Sequence, residues 1–87
     1  MGEVADRIRA KLTTEFSPIA LDVVDDSDKH QGHAGHREGG ESHFTVNIVA
    51  EAFRGLSRVD AQRRINRTLA EELAGPVHAL SIRASAP

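Results

Sequence analysis

The segment from Asp26 to Phe44, DSDKHQGHAGHREGGESHF, restricts the fold of this chain more than any other stretch. It holds four of the five histidines (His30, His33, His36 and His43) and four of the seven glycines (Gly32, Gly35, Gly39 and Gly40). Glycine permits tight backbone paths and weakens both helix and strand. The segment therefore reads as one long loop, and all regular structure must lie on either side of it. Loops longer than about 12–15 residues are uncommon in compact domains and are usually functional or disordered. Histidine is a common metal ligand and titrates near neutral pH.

Before the loop, Val4, Ile8, Leu12 and Phe16 recur every fourth residue between charged positions, which predicts an amphipathic helix over about Glu3 to Glu15. Ser17–Pro18 ends it, because a residue preceding proline avoids helical geometry. Ile19, Leu21 and Val23 then alternate with Ala20, Asp22 and Val24, the period of a strand with one buried face. After the loop, His43 to Ala50 alternates again, with Phe44, Val46 and Ile48 on one side and His43, Thr45 and Asn47 on the other. Glu51 to Leu56 is a short connector of about one helical turn. Ser57 is placed to cap a helix whose buried stripe is Val59, Gln62, Ile65, Leu69 and Leu73. Asp60 suits the positive end of that helix. Gly75–Pro76 stops it, and Val77 to Ala84 reads as a third strand.

The flanks of the loop thus predict helix, strand, strand, helix, strand. The first two strands pair as an antiparallel hairpin with a long connection. The second and third flank a helix, so they should run parallel if they share a sheet. The expected fold is α+β, a three-stranded mixed sheet with helices on one face. Parallel strands begin at the same end of a sheet. His43 opens the second strand and His78 the third, so the topology brings His78 to the loop despite their distance in sequence.

At 87 residues the chain suits a single domain, residues 1–87, with a modest core. No cysteine is present, so any metal must be held by histidine or carboxylate, or by thiolates from elsewhere. The start, MGEVADRIRAKL, lacks the apolar core of a secretory signal, and no run approaches the roughly 18 apolar residues of a membrane span. These features point to a soluble cytoplasmic protein. The net charge is −2, and there is no Trp or Tyr, which argues against a free nucleic-acid binder. Against that balance, Arg54, Arg58, Arg63, Arg64 and Arg67 lie close together. Arg63, Arg64 and Arg67 fall within about one helical turn and are the candidate nucleic-acid contacts, provided that Glu71 and Glu72 do not neutralise them.

His30, His33 and His36, spaced three apart, could converge on one ion, or could simply be solvated. His78, on an apolar strand, is either a ligand or a satisfied half-buried histidine. His43 reads more readily as a scaffold residue than as a ligand. No catalytic residue is identified: there is no thiol, no serine elbow, no phosphate-binding loop and no dinucleotide fingerprint. The expectation is a protein that is not an enzyme.

Three stretches resemble the BolA family: DDSDKH, GESHFTVNIVAEAFRGLSRV and LAEELAGPVHALSI. The resemblance runs from the first helix to the last strand and is most specific at Glu41–Phe44, Phe53–Leu56 and Pro76–Leu80. It implies a class II KH-like fold in the order α-β-β-α-α-β, with the Glu51–Leu56 turn as the extra element. It also implies a partner. BolA proteins pair with monothiol glutaredoxins and share a [2Fe–2S] cluster, held on one side by the glutaredoxin cysteine and a glutathione thiolate. On the BolA side the resemblance implies His78 and a ligand from the loop between the first two strands. In a chain without cysteine that ligand is a histidine, His30 first and His33 next. The role would lie in iron–sulfur trafficking or assembly, or in iron homeostasis. A cluster held by imidazole would also be sensitive to pH near neutrality.

Many family members carry Arg-His-Arg where this chain has Ala61–Gln62–Arg63, which removes one arginine from the helix. The alternative function, a KH-like nucleic-acid-binding transcriptional regulator, is further weakened by the lack of a GxxG loop between the helices. A third possibility is a mononuclear zinc or copper site in the loop.

Overall fold

The computed structural model describes residues 2–26 and 42–87. Helix α1 (Glu3–Phe16) buries the stripe read from its spacing, Val4, Ile8, Leu12 and Phe16. Burying side chains of this size contributes roughly 1.5–3 kcal/mol each relative to exposure. Glu3 and Asp6 occupy the first turn, where the helix dipole favours negative charge. Ser17 closes the helix in the left-handed region (φ 45°, ψ 56°), its N–H donating to the Thr13 carbonyl at 3.0 Å. The chain then turns through Pro18 into the sheet.

Three strands follow: β1 (Ala20–Asp25), β2 (His43–Val49) and β3 (Ala79–Ser85), in the spatial order β1-β2-β3. β1 and β2 are antiparallel and β2 and β3 parallel, as the sequence order requires. The register places Val23, Val46 and Ile82 in one row across the sheet, and Leu21, Ile48 and Ala84 in the next. These rows and Phe44 face the helices and join the core. The opposite face carries Asp22, Asn47 and Arg83 in a row. Ile19 departs from the expected alternation. It precedes β1, donates its N–H to Val49, and leaves its side chain 70% exposed.

After β2 the chain makes one 3-10 turn, Glu51–Phe53, which drops Phe53 onto Phe16 with ring centroids 4.9 Å apart. Ser57 then caps helix α2 (Arg58–Thr68) by accepting the Asp60 N–H at 3.0 Å, as its position predicts. The buried residues of α2 are Ala61 and Ile65, with Leu69 just beyond. Val59 is not among them. It is 54% exposed, so the inward stripe is rotated from the one read in the sequence and passes through the small Ala61 instead. The helix is also not continuous to Gly75. The backbone leaves helical geometry at Leu69 (φ −102°, ψ 22°), and a separate short helix, α3 (Ala70–Ala74), follows. The extra helical element expected at Glu51–Leu56 is present as the Glu51–Phe53 turn, and α3 is a further short helix after α2.

The bend at Leu69 brings α3 against α1. Glu72 is fully buried there, with its Oε2 2.9 Å from Arg7 Nη2 and its two oxygens 3.0 and 2.9 Å from Lys11 Nζ. Burial pushes this carboxyl up, but the hydrogen bonds from Lys11 and Arg7 and the charge of Lys11 outweigh it and hold the group below its ordinary value. Hydrogen bonds to Glu71 and Glu72 raise Lys11 in turn.

Candidate functional site

The parallel pairing of β2 and β3 is anchored at its start by one residue. Ser42, wholly buried, accepts at its carbonyl both the His78 N–H (2.7 Å) and the Ala79 N–H (3.1 Å). The register then continues with His43 opposite Ala79. On the other side of β2, the His43 carbonyl accepts the Asp26 N–H at 2.7 Å, and the Thr45 hydroxyl donates to the Asp26 carboxylate. The last described residue before the His/Gly segment, Asp26, and the first after it, Ser42, are thus tied to the strand end where His78 stands.

Two imidazoles meet at this end. The rings of His43 and His78 have centroids 5.5 Å apart and planes inclined by 57°. They differ in their surroundings. His43 is 9% exposed, with Nδ1 2.9 Å from Ser42 Oγ, so the serine hydroxyl orients its ring. His78 is exposed. The convergence expected from topology is therefore present for His43 and His78. His30 and His33, the loop ligands that the sequence suggested, lie outside the described residues, as does His36. Among the described residues no three histidine or carboxylate side chains cluster in a way that could hold a metal ion.

An exposed imidazole fixed by its backbone at a strand end can supply one ligand to a metal. Thiolates must come from outside, because the chain has none.

The basic cluster lies elsewhere, on α2. Arg63, Arg64 and Arg67 are exposed. Arg63 stands 3.6 Å from Asp60, whereas Arg64 and Arg67 make no ion pair among the described residues. Glu71 and Glu72, which could have neutralised them, are taken by Arg7 and Lys11 of α1. Among the described residues Glu71 and Glu72 therefore do not pair with Arg64 or Arg67.

The sequence reading missed two residues that build the site region. Ser42 stands out in the sequence only as part of a family-like stretch, and nothing local marks a serine whose carbonyl takes two donors from a distant strand. Glu72 carried a clearer signal. It lies seven residues after Ile65 and so on the inward face, and two cations four residues apart on α1, Arg7 and Lys11, were available to meet it.

A family model described as BolA-like protein matches residues 12–87. The chain belongs to the BolA-like family. Among relatives of this BolA-like chain, SufE-like protein 1 of Arabidopsis thaliana is 44% identical over 91 residues, covering 100% of the chain but 24% of the plant protein. The DNA-binding transcriptional regulator BolA of Vibrio cholerae is 46% identical over 79 residues, covering 91% of the chain and 71% of the regulator. BolA-like protein 1 of mouse is 43% identical, and the chain spans 60% of its length. The BolA domain of Arabidopsis SufE1 superposes with a TM-score of 0.89 at 45% identity, over 100% of the chain and 95% of that domain. The solution structure of mouse BolA1 gives 0.82 at 40%, over 100% of the chain and 68% of that structure. Among the described residues no helix is long and apolar enough to cross a membrane.

Proposed function

We propose that this BolA-like chain is a non-enzymatic, cytoplasmic partner of a monothiol glutaredoxin, and that it co-ligates a [2Fe–2S] cluster in iron–sulfur trafficking or iron homeostasis. The observation that carries this reading is the placement of His78. Its backbone is locked to Ser42, its ring is exposed, and both described ends of the segment bearing His30 and His33 are tied down beside it. In this reading His78 is one ligand and His30, or failing it His33, is the other. The glutaredoxin cysteine and glutathione provide the thiolates. His43, held by Ser42, lines the site without ligating.

The chemistry agrees with the composition. A chain with no thiol cannot hold such a cluster as four-cysteine proteins do, and imidazole can replace thiolate on one iron with a higher potential as the result. The test is to mix the chain with a cluster-bearing, glutathione-loaded monothiol glutaredoxin and follow visible absorption and circular dichroism. A new spectrum that disappears in His78→Ala supports the reading. A spectrum identical to that of the glutaredoxin alone overturns it.

A second reading, nucleic-acid binding, has one specific observation in its favour: Arg64 and Arg67 are exposed and make no ion pair among the described residues. The Vibrio cholerae relative is named a DNA-binding transcriptional regulator. Binding through this patch would weaken steeply with salt, and each lost phosphate contact would lower the salt slope by about 1. Duplex binding that is unaltered in Arg64→Ala/Arg67→Ala would rule the patch out.

A further inference from the structure

Glu72 is an unusual use of a charge. It is the one buried carboxylate among the described residues, yet its partners stand partly in solvent, with Arg7 44% and Lys11 32% exposed. Such pairs gain little stability over a well-packed apolar residue, because desolvation cancels most of the attraction. Their better use is to fix a position. Both Glu72 oxygens are gripped by α1, from two residues one helical turn apart.

The grip passes directly to the strand that carries His78. The Glu72 carbonyl accepts the Gly75 N–H at 3.2 Å and the Val77 N–H at 2.9 Å. Val77 is buried, and the next N–H, that of His78, donates to Ser42. The turn from Glu72 to His78 is therefore clamped at two points, one on α1 and one on β2. Gly75 lies between them, and a Cβ there would meet the Glu71 carbonyl oxygen at 3.3 Å, so the turn leaves little room for a side chain at this position.

We propose that Glu72, held by Arg7 and Lys11, is a positioning residue for His78: it sets where the imidazole stands relative to Ser42 and His43. Its consequence for a cluster rests on the reading of His78 as a ligand. Its consequence for the free chain does not.

The experiment therefore has two arms, both on the full chain. In the first, the amide resonances of Val77 and His78 and the ring resonances of His78 are recorded in wild type, Glu72→Gln and Lys11→Arg. Glu72→Gln keeps the shape and removes the charge, whereas Lys11→Arg keeps the cation. The expected result is a displacement of these resonances in Glu72→Gln, with Lys11→Arg close to wild type and far-UV circular dichroism unchanged in both. In the second arm, the glutaredoxin complex is challenged with an iron chelator. Cluster retention should fall about tenfold in Glu72→Gln, the lower end of what residues orienting a metal ligand command. If Glu72→Gln does not fold, Lys11→Met is measured on the same two scales. Resonances of His78 unmoved by loss of the clamp overturn the proposal. Resonances that move in Glu72→Gln, while the wild-type chain gives no His78-dependent cluster spectrum, uphold the clamp and reject the ligand reading.

Discussion

His43 and His78 are brought within 5.5 Å of each other, centroid to centroid, by the parallel register of two strands that are far apart in sequence. One of the pair is buried against a serine hydroxyl and the other is presented to solvent. That division sets them apart: the His43 ring is held within the fold, and the His78 ring faces solvent.

Ser42 should therefore matter to stability as well as to the site. Ser42→Ala removes the hydroxyl that orients His43 and leaves the backbone contacts to His78 and Ala79 in place. Losing a partner of a buried polar group costs about 1–3 kcal/mol. Urea denaturation should report a loss in that range, and a change below about 0.5 kcal/mol, the usual scale of surface substitutions, would mean that the hydroxyl contributes nothing.

The inward face of α2 predicts a sharp contrast between two residues read alike in the sequence. Ile65 is fully buried, so Ile65→Ala should cost about 2–5 kcal/mol. Val59 is 54% exposed, so Val59→Ala should stay within about 0.5 kcal/mol. Equal losses at the two positions in chemical denaturation would contradict the orientation of the helix.

That contrast also indicates what the sequence could convey. α1 was legible because its four inward residues are all large and evenly spaced. The strands were legible because alternation is a strong signal, and their register followed from topology. α2 was harder to read because its inward stripe uses Ala61, which is too small to stand out, while Val59 imitates a core position on the outside. The break at Leu69 left no mark, since Ala70, Glu71, Glu72 and Leu73 are all acceptable in a continuing helix. At the site, His78 and His43 were legible as strand starts. The joint that holds them, the Ser42 carbonyl, is backbone and has no side-chain signature.

The buried Glu72 predicts a pH dependence with a definite sign. Its carboxyl is held below the ordinary value in the folded chain, so the unfolded chain binds the proton more readily. The stabilisation is therefore present above the unfolded value near 4.5 and is lost as pH falls through the lower folded value. Thermal melts should decline across that acid window, and the decline should be shallower in Glu72→Gln. An identical acid limb in the two proteins would show that Glu72 is not a source of it.

Gly55 adopts φ 81° in the turn before α2, and a Cβ there would meet nothing within 4 Å. Gly55→Ala should therefore cost only the left-handed strain, about 1–2 kcal/mol, without a packing term. A larger loss in denaturation would reveal a contact that the open geometry of the turn does not contain.

The central claim is that His78 is one of the two ligands this chain contributes to a shared cluster. It is tested most directly by mixing wild type and His78→Ala, each in turn, with a cluster-bearing, glutathione-loaded monothiol glutaredoxin and recording visible circular dichroism. His78 is exposed, so the substitution should change the stability of the chain by no more than about 0.5 kcal/mol. The account predicts a new spectrum with wild type and none with His78→Ala. The same spectrum from both proteins, or no change from either, would contradict it.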